Sequence, residues 1–385
     1  MERPTFDRLR RNPNLAFGIG IAATAAALLL LPGPVRRGSR RAGMAGRAAL
    51  WPNRPTPQML DVLQHLAELG PKPIEGLTAE EARRQPTPAD AVRRALAVHK
   101  GGAAPEPVAG VEQRTVDGPG GPVPVRIYTP EGDGPFAVIV YWHGGGWVLA
   151  DLDTYDATPR ALANAVGAVV VSAHYRQAPE HPFPAAHEDA FAVYRWVLAA
   201  AGTFRGDPGR VAVAGESTGA NLAIGTALMA RDRGVPRPVH QLLVYPVASP
   251  RMDTASYREN AQAKPLNAEM MGWFLQKYLR SDADARDPRI DLLSADLSHL
   301  PPATVITAAI DPLRDEGEML AERLRRHGVE VRHRDYAGVT HEFFGMAALV
   351  DEARHAQRLA AARLRDALMP TANVHEPRWS TAGGA

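Results

Sequence analysis

One stretch constrains this chain more than any other. Val211-Ala212-Val213-Ala214 is a small, apolar, partly β-branched run that feeds directly into Gly215-Glu216-Ser217-Thr218-Gly219. Small helix-compatible residues follow, from Ala220 to Ile224. Such a sequence specifies a strand, a tight turn and a helix. In that arrangement the serine of G-x-S-x-G stands at the turn with its hydroxyl lifted above the sheet edge. Glycines flank it because side chains at those positions would collide across the turn. The helix that follows aims its N-terminal N–H groups and dipole at the same point, which favours negative charge there. Alone, the pattern is short, and a passive serine at a strand–helix junction would also satisfy it. The rest of the chain decides between the two.

A serine hydroxyl is a poor nucleophile until a base accepts its proton. In a doubly wound sheet with this turn, the order is serine, then an acid, then a histidine, each on a loop after a strand. The apolar run Thr304–Ala309 ends in Ile310-Asp311-Pro312-Leu313-Arg314-Asp315-Glu316, and the last strand-like run ends in Ala337-Gly338-Val339-Thr340-His341-Glu342-Phe343. Asp311 and His341 therefore stand where the orienting acid and the base are needed. Asp315 and Glu316 rival Asp311, but they fall in the first turn of a helix, where acids serve as N-terminal charges. Another turn, His143-Gly144-Gly145-Gly146-Trp147, follows the run Phe136–Trp142. Three successive glycines let backbone N–H groups converge on one point, as stabilisation of a developing oxyanion requires. Thr218, directly after the serine, offers a further N–H. His143 reads as a residue that shapes the loop through hydrogen bonds. No P-loop or G-x-G-x-x-G pattern is present, so nucleotide binding is a weak competitor.

Read in order, the chain alternates strands and helices from Val111 onward. Strands are expected at Val111–Val116, Val125–Tyr128, Phe136–Trp142, Ala168–Ala173, the Val211 run, Val239–Tyr245, Thr304–Ala309 and Val329–Tyr336. Helices are expected at Ala185–Ala201, from the turn to about Asp232, at Glu316–His327 and at Ala347–Leu368. This pattern gives an α/β fold, a mostly parallel sheet with helices on both faces. Two helical stretches lie outside the alternation. Residues 51–110 hold helices near Gln58–Leu69 and Ala89–His99, and residues 251–290 hold one near Ala268–Leu279. Both are expected to form a helical cap over a pocket. The domain expectation is thus a basic segment 1–50, a cap region 51–110, a catalytic domain 111–369 with a cap insertion at 251–290, and a flexible tail 370–385.

Five motifs in this order resemble the hormone-sensitive-lipase-like branch of the α/β-hydrolase esterases and lipases. They are His143–Trp147, Tyr175-Arg176-Gln177-Ala178-Pro179-Glu180-His181-Pro182-Phe183-Pro184-Ala185-Ala186, Gly215–Gly219, Asp311–Glu316 and His341-Glu342-Phe343. The resemblance spans about residues 105–368. It implies an eight-stranded sheet, a triad of Ser217, Asp311 and His341, and an oxyanion hole of Gly144, Gly145, Gly146 and Thr218, with Gly145 and Gly146 as the foremost donors. Arg176 and Glu180 are read as structural charge partners. The family usually carries alanine where Thr218 stands and glycine where Glu342 stands; the branched Thr218 side chain is expected to narrow the oxyanion site, and Glu342 bears on the pocket wall beside His341. The implied activity is hydrolysis of short-to-medium acyl esters through an acyl-serine, with no cofactor and no metal. An amide or N-acetyl hydrolase with the same triad is the alternative, and a non-catalytic binding module is a third reading.

Charge and cysteine content narrow the partners. The chain has no cysteine, which excludes disulfides, thiolate catalysis and cysteine-type zinc sites. Residues 1–50 carry nine Arg against Glu2 and Asp7, a net of +7, so the remainder of this +2 chain is at −5. A mildly acidic body argues against nucleic acid as a partner. Leu15–Leu31 is a 17-residue apolar stretch between arginines. As a helix it would rise about 25 Å, slightly short of a hydrocarbon core of ~30 Å. An uncleaved membrane anchor is the leading reading. A cleaved signal peptide and translation from Met44, which would leave a cytoplasmic protein, are the alternatives.

Overall fold

The computed structural model describes residues 54–369. The apolar segment 15–31, its anchor reading and the tail after 370 lie outside the described residues. The chain opens with helices α1 (Pro57–Glu68), α2 (Ala79–Arg83) and α3 (Pro88–Lys100). Each starts on a threonine, Thr56, Thr78 or Thr87, whose side chain accepts from a first-turn N–H. Strands β1 (Gly110–Gly118), β2 (Gly121–Thr129) and β3 (Phe136–Trp142) follow. After them come α4 (Ala157–Val166), β4 (Val169–Ala173), α5 (Ala185–Ala200), β5 (Gly206–Glu216), α6 (Thr218–Asp232) and β6 (Gln241–Val244). The interruption holds α7 (Ala255–Glu259), α8 (Ala268–Tyr278) and α9 (Asp282–Ala285). The chain then closes with β7 (Ala303–Ile310), α10 (Arg314–Arg326), β8 (Val331–Thr340) and α11 (Asp351–Leu368).

All eight expected strands form one sheet in the order β1-β2-β4-β3-β5-β6-β7-β8. The pairs β1–β2 and β2–β4 are antiparallel and the rest are parallel. The sheet is covered on both faces. In β3, Val138, Val140 and Trp142 join a core that includes α5, α6 and α10, whereas Ala137, Ile139 and Tyr141 join one that includes α4 and α11. A strand buried on both faces reads as a continuous apolar run, as β3 does.

Differences from expectation are local. Helix α4 falls outside the helices expected from the sequence; Pro159 stands in its first turn, where a proline gives up only an N–H that no helical carbonyl would accept. Helix α11 begins at Asp351 rather than Ala347, after a 3₁₀ turn at Phe343–Met346. Arg176 and Glu180 do not pair with each other. Arg176 binds the buried Asp189 at 2.8 Å, and Glu180 binds Arg83 at 2.7 Å.

Parallel strands set the position of the chemistry. Strands β3, β5, β7 and β8 point the same way, so the turns after them gather at one sheet edge. Two helical regions lie over that edge. Arg83 of α2 donates to the carbonyls of Val148 and Ala178, each at 2.9 Å, and Trp273 of α8 donates to the carbonyl of Leu77 at 3.3 Å.

Candidate active site

The turn after β5 shows why its sequence is so restricted. Ser217 sits at φ 58°, ψ −120°, between the strand and α6. A non-glycine residue held in such a conformation costs on the order of 1–3 kcal/mol, which the surroundings must offset. The flanking positions leave no space for side chains. A Cβ on Gly215 would lie 2.2 Å from the carbonyl carbon of Gly219, and one on Gly219 would lie 2.0 Å from the carbonyl oxygen of Trp142. The turn is fastened to the next strand by Ser217 N–H donating to Val244 O at 2.9 Å.

The loop after β3 approaches just as closely. A Cβ on Gly144 would stand 3.1 Å from the Ser217 Cβ, and one on Gly146 would stand 2.0 Å from the Phe274 ring. Gly145 and Gly146 have φ +100° and +66°. Their carbonyl side is fixed: Val148 and Leu149 donate to Gly145 O at 3.1 and 2.8 Å. Among the described residues neither Gly145 N–H nor Gly146 N–H has a hydrogen-bond partner. Thr218 is the first residue of α6, where no preceding helical carbonyl can take its N–H. Gly145, Gly146 and Thr218 line the cavity beside Ser217, while Gly144 packs beneath it. His143 is fully buried, with Nδ1 2.8 Å from Gly144 O and Nε2 3.0 Å from His174 Nδ1. Burial pushes its pKa down to about 3, so it is a neutral brace for the loop.

The acid and histidine meet as the order of turns required. Asp311 Oδ2 lies 2.6 Å from His341 Nδ1, and Asp311 Oδ1 accepts from Leu313 N–H at 2.9 Å. The rivals are engaged elsewhere. Asp315 accepts from Ser256 N–H at 2.7 Å, and Glu316 accepts from Ala248 N–H at 2.9 Å. Burial acts to lower the pKa of His341, but the charges of Asp311, Glu342 and Glu216 outweigh it, and the net direction is upward.

Sequence reasoning missed a group of tyrosines around two carboxylates. Tyr141 donates to Glu216 Oε1 at 2.7 Å, and Tyr245 donates to its other oxygen. Burial, together with the charge of Glu342, raises Glu216 to about 7. Tyr155 donates to Glu342 at 2.6 and 2.7 Å, and Glu342 Oε1 stands 4.0 Å from His341 Nε2. Glu342 has φ 71°, ψ 0°, a left-handed conformation more usual for glycine. No local pattern signals the tyrosine contact, since Tyr155 and Glu342 are 187 positions apart.

Above the sheet edge lies a cavity of about 630 Å³, lined by Ser217, Thr218, His341 and Glu342 below and by Leu66, Pro88, Leu266 and Phe274 above. Its size suits a small organic molecule. A family model described as the alpha/beta hydrolase fold matches residues 139–345. The chain belongs to the α/β-hydrolase family. Among curated relatives, this hydrolase is 43% identical over 62% of its length to the carboxylic ester hydrolase LipN of Mycobacterium tuberculosis, of which the match covers 65%. It is 42% identical to the carboxylesterase NlhH of the same species, over 67% of this chain and 83% of that one. Among solved structures, a Pyrobaculum calidifontis esterase superposes with a TM-score of 0.74 at 39% identity, over 81% of this hydrolase and 98% of that chain.

Proposed function

We propose that this protein is a serine carboxylic ester hydrolase acting on short-to-medium acyl esters. The observation that carries the reading is the buried Asp311–His341 pair at 2.6 Å, facing the cavity that Ser217 also lines. Relatives named carboxylesterase support it.

In this mechanism His341 Nε2 takes the Ser217 hydroxyl proton as the oxygen attacks the ester carbonyl. Asp311 holds the Nδ1–H tautomer and stabilises the imidazolium that forms. The N–H groups of Gly145, Gly146 and Thr218 receive the tetrahedral oxyanion; a donor of this kind is worth about 3–4 kcal/mol in the transition state. The tetrahedral intermediate collapses, the C–O bond to the alcohol breaks, and His341 returns its proton to the leaving oxygen. Water then adds to the acyl-Ser217 with His341 as base, and Ser217 leaves as the acid is released. Gly144 supplies the close approach beneath the serine rather than a donor.

The helices of 57–100 and 255–285 act as the cap, and the cavity between cap and sheet edge limits the acyl group. A p-nitrophenyl ester series tests this, with turnover expected to favour chains up to about eight carbons. Faster turnover of a sixteen-carbon than of a four-carbon ester would overturn it, and preference for the matching anilides would move the reaction to amides. Membrane association through residues 15–31 is a separate proposal from the sequence and leaves this chemistry unchanged.

A further inference from the structure

On the cap, three metal-ligating side chains converge away from the catalytic histidine. Asp61 and His65 are one turn apart on α1, and His99 reaches them from the last turn of α3. One ligand atom from each lies within 4.8 Å of the other two. His99 Nε2 is 2.9 Å from Asp61 Oδ2, and His65 Nε2 is 3.8 Å from Asp61 Oδ1. Ligands at zinc distances of about 2.0–2.1 Å in a tetrahedron stand about 3.3 Å apart, a spacing these two distances bracket.

His65 is the telling residue. It is only 8% exposed, and among the described residues its buried Nδ1 has no hydrogen-bond partner in good geometry. A buried polar group left unsatisfied is costly. Its Nδ1 faces Glu68 Oε2 at 3.3 Å, outside hydrogen-bond geometry, and Glu68 is held by Arg94 at 3.0 Å. A carboxylate behind Nδ1 with Nε2 turned toward other ligands is the arrangement that orients metal-bound histidines. An ion at Nε2 would fix the tautomer that places Nδ1–H toward Glu68.

We propose that Asp61, His65 and His99 form a divalent transition-metal site, of zinc type, that clamps α1 to α3. Two imidazoles and one carboxylate select such an ion over magnesium or calcium, which favour all-oxygen shells. Half-exposed Asp61 and exposed His99 leave the fourth position to water. The clamp is independent of the ester chemistry: its residues do not line the cavity, although Leu63, Leu66 and Pro88 of the same helices do.

The test is calorimetric titration of the EDTA-stripped full chain with Zn²⁺, and with Mg²⁺ alongside, paired with thermal melts. His99→Gln and Asp61→Asn are the informative variants, because both side chains reach solvent and neither is packed in the core. One equivalent of Zn²⁺ should bind and raise Tm. Mg²⁺ should give no signal. Each variant should lose at least about tenfold in affinity, and His341→Ala should keep wild-type affinity. Absence of saturable Zn²⁺ binding overturns the proposal. So does binding that survives in both cap variants but is lost in His341→Ala, which would place the ion at the catalytic histidine.

Discussion

Ser217 and Glu342 are both non-glycine residues at positive φ in turns at the same sheet edge, and they are held there by different means. At Ser217 the conformation goes with close main-chain approach, since a side chain on Gly215 or Gly219 would collide with Gly219 or Trp142. At Glu342 the side chain is the anchor, held by Tyr155 from a distant loop. The first turn is a local property of five residues and must be met wherever the fold builds a serine nucleophile. The second depends on tertiary contacts, which leaves it open to variation where the pocket wall meets His341. In the proposed mechanism the nucleophile is placed by backbone geometry, and the electrostatic setting of the base by side chains.

The largest effect should come from the histidine's own support. Asp311→Asn leaves the imidazole in the wrong tautomer, and kcat should fall by about 10⁴-fold. Asp315→Asn should leave kcat near wild type; the reverse pattern would assign the orienting role to Asp315.

Next comes the enforced turn. A methyl on Gly219 would press on the Trp142 carbonyl and displace Thr218 N–H, so Gly219→Ala should lower kcat by roughly 10²–10³-fold, as loss of one oxyanion donor does. Near-normal turnover would show that the turn has more room than its close contacts indicate.

The side-chain-held turn should respond more mildly. His341 must be neutral to act, so turnover rises with pH through its pKa, which lies above the usual histidine value. Burial opposes that shift, and the Asp311 and Glu342 charges drive it. Glu342→Gln removes one of the raising charges, so the acid limb of kcat/KM should move to lower pH, with little change in the plateau. An unmoved limb would mean that Glu342, whose own pKa burial raises, is already neutral there.

These contrasts match what was legible in the sequence. The eight strands and the Ser217, Asp311 and His341 positions follow from β-branched runs and the turns after them, because each is set by local geometry and strand order. The preference for Asp311 over Asp315 and Glu316 rests on the latter two belonging to the first turn of α10. The tyrosines around Glu216 and Glu342 were hidden by sequence distance. The Asp61–His99 contact joins residues 38 positions apart on two helices, each of which reads alone as an ordinary amphipathic segment.

The central claim is that Ser217 is the nucleophile and that His341 activates it. Intact-mass analysis after treatment with a fluorophosphonate, followed by peptide mapping, tests it most directly. One adduct per chain is expected, on the peptide containing Ser217, with labelling abolished in Ser217→Ala and slowed by orders of magnitude in His341→Ala. An adduct on another residue, or Ser217→Ala protein that still labels and turns over ester, would contradict the account.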